Sequence, residues 1–199
     1  MGHDDLPIPT IRIGDSAEVK RAAYAELLSA AQAILQSDDG NGSTTSAAAI
    51  DAVAALSTVA FLLSRALPHC SWSGFYRRVP QTEPPLLVVG PYVGRSIGCL
   101  LIPFSRGVCG AAARERRSQV VPDVSRFPGH IACASTTRSE LVVPVFERGD
   151  AQTGAVVAVL DLDSDEPAAF DGEDDRGLET LCAWLGRTFF SSSSLGGRS

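Results

Sequence analysis

Up to Pro68 the apolar residues recur every three or four positions. Beyond it they alternate, or run together in short stretches broken by Gly, Pro and Asp. That switch constrains the fold most tightly, because a helix and a strand bury their apolar sides with different repeats and neither pattern serves the other. Tyr24, Leu27, Leu28, Ala31, Ile34 and Leu35 predict a helix over 17–36. Ile50, Val53, Leu56, Val59, Ala60 and Leu63 predict a second over about 47–67, stopped by Pro68. Between them, Ser37–Ser46 is too polar and Gly-rich to pack, and is read as a flexible insertion.

After Pro68 strands are expected at Trp72–Val79 and Leu86–Tyr92, separated by the turn Pro80–Pro85. Gly107–Arg117 predicts a short helix, since Ala111, Ala112 and Ala113 are strong helix formers. Gln119–Pro122 reads as a short strand and Asp123–Arg138 as a long loop. Glu140–Glu147 and Ala155–Asp163 form a hairpin around Arg148–Gly154. Asp171 caps a closing helix with Glu173, Asp174 and Asp175 in its first turn. Two helices, then antiparallel strands with a helix among them, then a helix, is an α+β order with helices packed on one side of a central sheet. One domain over 17–190 follows, with a lead-in at 1–16 and a disordered tail at 191–199.

Function is constrained by cysteine. Cys99, Cys109 and Cys133 fall within 35 residues, among five cysteines in all, and no CxxC occurs. His3, His69 and His130 group with no cysteine pair, so no metal site is expected. No basic start followed by an apolar stretch opens the chain, so no signal peptide is expected and the thiols are placed in a reducing cytosol. A net charge of −6 and a pI near 5.0 argue against nucleic acid or an anionic membrane as main partner. Clustered thiols without ligand spacing point to thiol redox chemistry, in which one thiolate is oxidised and a second attacks it.

Trp72-Ser-Gly-Phe-Tyr76, Leu87–Gly94, Arg106-Gly-Val-Cys109-Gly110, Gly129-His-Ile-Ala-Cys133, Ser139-Glu140 and Val159-Leu-Asp161-Leu-Asp163-Ser164 resemble the free methionine-(R)-sulfoxide reductases, which are GAF-domain enzymes. The likeness runs from about residue 20 to 188, and the cysteine spacings fit it. It implies a GAF-like fold and reduction of free L-methionine (R)-S-oxide. It also implies recycling of a disulfide by thioredoxin as electron donor, without another cofactor, in a cytosolic and commonly dimeric enzyme. The chain departs from shorter members at Ser37–Ser46, Gln81–Pro85 and Arg148–Gly154, all polar and loop-like.

Such chemistry needs an attacking thiolate, a resolving thiol and a proton donor. The resemblance puts the attack on Cys133 and resolution on Cys99. Cys109 is the rival nucleophile, because the start of a helix lowers a thiol pKa; it also reads as a small buried residue. Cys70 and Cys182 read as inert. Asp161 and Asp163 lie two apart on a strand and share a face. On the residues alone they also read as a strand end before Ser164–Pro167; the resemblance favours a grip on the substrate's α-ammonium, with Glu140 or one of them supplying the proton. Trp72 and Tyr76 share a face and offer an aromatic wall for the thioether end, or plain sheet core. His130 stabilises a thiolate if protonated, or is a solvated loop histidine. Pro128-Gly129 makes the loop carrying Cys133 mobile. Two other classes stand beside the reductase: a non-catalytic GAF small-molecule sensor and a thiol redox switch.

Overall fold

The computed structural model describes residues 7–36 and 50–191. The insertion at 37–46, the first six residues of the lead-in and the tail from 192 lie outside the described residues. The chain forms α1 (Ala17–Leu35), α2 (Ala52–Ala66), β1 (Cys70–Arg78), β2 (Leu86–Gly94), β3 (Leu101–Pro103), α3 (Gly107–Glu115), β4 (Gln119–Val121), β5 (Ser139–Phe146), β6 (Val156–Ser164) and α4 (Gly172–Phe189). The strands form one antiparallel sheet in the order β3-β2-β1-β6-β5-β4.

Each long helix starts where a side chain satisfies its free N–H groups. Ser16 caps α1 and Asp51 caps α2. Helix α2 therefore begins later than the apolar spacing predicts, and Ile50 lies before the cap, packed against the core. Asp171 and Asp174 form a capping box on α4. The lead-in is not wholly solvated either: Ile11 is fully buried, and its N–H donates to Ala66 O at 2.7 Å.

Strand alternation divides the interior in two. Phe75, Leu141, Val143, Leu160 and Leu162 face α1, α2 and α4. Trp72, Tyr76, Val142 and Val159 face the other way, against Leu87, Ile102, Val108 and Ala112. The three long helices gather on one side as expected, but α3 packs on the opposite face. The reason is in β5, which is buried at every position, so both of its faces need cover. The backbone comes close here: a Cβ on Gly110 would lie 2.4 Å from Pro103 O, so α3 seats on β3 only with glycine at that place.

Helices α1 and α4 are joined by a buried ion cluster. Lys20 Nζ donates to Asp174 at 2.6 Å and Asp171 at 2.8 Å, and Tyr24 Oη donates to Asp174 at 2.9 Å. Lys20 is 2% exposed. Among the described residues no helix is long and apolar enough to cross a membrane.

Candidate functional site

The face covered by α3 carries the acids. Strand pairing sets Glu140 opposite Asp163 and Val142 opposite Asp161, and alternation turns all three carboxylates toward α3. Cys109 is the third residue of α3, and its Sγ lies 3.9 Å from Glu140 Oε1. His130 Nε2 stands 3.7 Å from the other oxygen of Glu140. These side chains, with Cys133, Thr137 and Asp163, line a cavity of about 20 Å³. Cys133 is bonded to Cys99, with Cα atoms 5.3 Å apart, so one disulfide ties the loop after Phe127 to the loop after β2.

The electrostatics follow from burial without counter-charge. No Lys or Arg is among the described residues lining the cavity. Burial pushes Asp161 up to about 6. Burial, then the charges of Asp161 and Asp163, holds Glu140 well above the usual carboxylate range. Burial and then Asp161 raise Asp163 in the same way. A carboxyl raised in this way keeps its proton to higher pH than an ordinary glutamate, which suits it to donate one. Burial also lowers the pKa of His130, which leaves its imidazole neutral.

Of the two readings of Cys109, rival thiolate or small buried residue, the structure agrees with the second: it is 3% exposed. Burial, followed by Asp161 and Glu140, pushes its thiol far up. The helix start does not offset buried carboxylates at this distance. Cys70 and Cys182 are raised by burial too. Cys99, Cys133 and Cys70 are half-buried, whereas Cys109 and Cys182 are buried.

The aromatic pair lies beside the cavity rather than in its wall. Trp72 stacks on Tyr76 at 5.6 Å and on Tyr92 at 5.0 Å between ring centroids. Gly74, opposite Tyr92, makes room for this: a Cβ there would meet Tyr92 Cβ at 2.2 Å and the Trp72 ring at 2.8 Å. Gly98 sits on the stack, 2.7 Å from Tyr76 Oη at its own Cβ position, so the Cys99 loop covers the rings. Tyr92 and Thr137 did not stand out in the sequence, whereas the start of α3 did, through Cys109. Tyr92 is one aromatic in an apolar strand, and Thr137 is one hydroxyl in a polar loop. No side chain caps the start of α3, and its first N–H, that of Gly107, donates to Gly129 O at 2.9 Å.

A cavity of about 20 Å³ has room for one water-sized guest and not for an amino acid. The disulfide form is therefore closed.

The GAF domain family matches residues 21–188. A free methionine-R-sulfoxide reductase of Escherichia coli is 38% identical over 133 residues, covering 67% of this chain and 74% of that protein. Protein ZMO0507 of Zymomonas mobilis is 36% identical over 168 residues, covering 84% and 92%. Among solved structures, the free methionine-R-sulfoxide reductase of Neisseria meningitidis in complex with its substrate superposes with a TM-score of 0.72 at 34% identity, over 92% of this chain and 96% of that one.

Proposed function

The chain belongs to the GAF-domain family of free methionine-R-sulfoxide reductases, and from that premise we propose that it reduces free L-methionine (R)-S-oxide to L-methionine by thiol chemistry at Cys133 and Cys99. The observation that carries the reading is the Cys99–Cys133 disulfide closing over a buried set of three carboxyl groups.

Cys133 attacks the sulfoxide sulfur as a thiolate. The sulfoxide oxygen takes a proton, is transferred to Cys133 as sulfenic acid, and methionine leaves. Cys99 then attacks the sulfenic sulfur, water departs and the disulfide forms. Thioredoxin, as a dithiol donor, returns both thiols and carries the two electrons. No further cofactor enters these steps.

The acids divide the remaining work. Glu140, which keeps its proton to higher pH than an ordinary glutamate, supplies the proton to the departing oxygen. Asp161 and Asp163 take the α-ammonium, whose charge draws them into their ionised form. The uncapped start of α3 offers N–H groups to the α-carboxylate. Trp72 and Tyr76 hold the methyl and thioether end once the Cys99 loop lifts. Cys109 stays a protonated thiol beside Glu140. A cytoplasmic enzyme, able to form a homodimer, completes the reading; its context is defence against oxidation of the free amino acid.

The test is NADPH consumption with thioredoxin and its reductase. Turnover is expected with the free R epimer and not with the S epimer or a peptide-bound sulfoxide. Folded, reduced protein that turns over none of them would overturn the proposal and leave a small-molecule sensor in front.

A further inference from the structure

Cys109, Glu140 and Asp161 come from a helix start and two strands, all three are buried, and one ligand atom of each lies within 4.8 Å of the others. Asp161 adds a separate sign of a missing guest. It is 5% exposed, and its Oδ1 is buried with no hydrogen-bond partner among the described residues. Buried polar atoms rarely stay so. The cavity they line admits one atom-sized guest in the disulfide form.

We propose that this cavity binds a thiophilic divalent cation of the zinc type through Cys109 Sγ, Glu140 and Asp161, and that the bound cation shuts out substrate. The donor set decides the class. Magnesium and calcium want six or more oxygens, which the cavity lacks; zinc takes four mixed sulfur, nitrogen and oxygen ligands. The spacing fits as well. With Zn–S about 2.3 Å and Zn–O about 2.1 Å, a Cys109 Sγ to Glu140 Oε1 distance of 3.9 Å subtends an angle of about 125° at the metal, near tetrahedral. A water takes the fourth position.

Binding is a proton exchange and involves no electron transfer. The Cys109 S–H and Glu140 O–H bonds break, both protons leave to solvent, and Zn–S and Zn–O bonds form. Affinity therefore rises with pH. The ligands are gathered from distant parts of the sequence, which is why cysteine and histidine spacing predicts no metal site. Cation binding stands on the cavity alone, whereas exclusion of substrate rests on the reductase reading.

The experiment uses the full chain with the Cys99–Cys133 disulfide intact, so that Cys109 is the one thiol in the cavity. Equilibrium dialysis is expected to show one equivalent of Zn²⁺ bound. Co²⁺ is expected to give a near-ultraviolet sulfur-to-metal charge-transfer band that disappears in Cys109→Ala and persists in Cys70→Ala and Cys182→Ala. Asp161→Asn weakens Zn²⁺ by at least about tenfold; it carries the test if Cys109→Ala fails to fold. No stoichiometric Zn²⁺, or a Co²⁺ band that survives Cys109→Ala, overturns the site. In turnover assays of the reduced enzyme, Zn²⁺ raises the apparent KM for the sulfoxide and spares kcat. A fall in kcat alone overturns the exclusion and leaves the site. Absence of turnover without metal overturns the reductase reading, and the dialysis result is independent of it.

Discussion

Asp161→Asn should make the protein more stable and less active, and the gain should depend on pH. Folding takes this carboxyl from 3.8 to about 6, chiefly by burial. Between those values the folded protein holds a proton that the unfolded chain has released, so stability falls as pH rises through that window. The difference corresponds to about 3 kcal/mol, lost by the time pH exceeds the folded value and constant above it. Asparagine keeps the shape and does not titrate. The variant should therefore gain almost nothing over the wild type at pH 4 and up to about 3 kcal/mol at pH 8. For a chain of this size that is a rise in Tm of roughly 6–12 °C. Calorimetric melts of the oxidised, chelator-treated protein at the two pH values measure it. An equal Tm difference at both pH values, or a lower Tm for the variant at pH 8, would refute the argument that Asp161 is held in the fold at a cost. Turnover of the variant should drop at least about tenfold, as expected when a site keeps a costly group for its ligand.

Cys133→Ser should lower sulfoxide turnover by about 10³-fold or more in the NADPH assay, and Cys109→Ser by no more than about tenfold, because a buried, raised thiol is a poor nucleophile. Disulfide-closed protein should bind the free sulfoxide at least about 100-fold more weakly than reduced protein by titration calorimetry, since a cavity of about 20 Å³ admits one water; equal affinity would contradict the closed state. Gly98→Val should destabilise by about 1–3 kcal/mol in urea melts and raise KM, because its side chain enters the space of Tyr76 Oη and the Trp72 ring.

The fold was legible where patterning is long and local. The α+β order, the hairpin of β5 and β6 and the capped α4 are written in periodicity and in the residue types at each end. Strand β3 was missed, because three residues carry no alternation. The place of α3 was missed for another reason: nothing in Gly107–Glu115 says which face of a sheet it will cover, and the decision lies in β5, more than twenty residues later. The same holds for the site. Asp161 and Asp163 share a face by strand geometry, which spacing shows, whereas their meeting with Glu140, Cys109 and His130 is a product of strand pairing and loop path. The helix position left Cys109 open between rival thiolate and buried residue; burial, then carboxylates that reach it from other elements, raise its thiol. The disulfide pairing came from the family likeness; the residues alone left three thiols to choose among.

Lys20 is held by carboxylates that follow it in the chain by more than 150 residues. Synthesis at ~5–20 residues per second leaves that ammonium waiting for the last helix to emerge. Before it does, the segment from Cys109 to Asp163 has been synthesised, whereas α4, which packs on the other face of the sheet, has not. A nascent or C-terminally cut chain therefore carries the thiols but not the lock that holds α1 against the sheet. The buried ammonium joins the first helix to the last, so the finished pocket belongs only to the completed polypeptide.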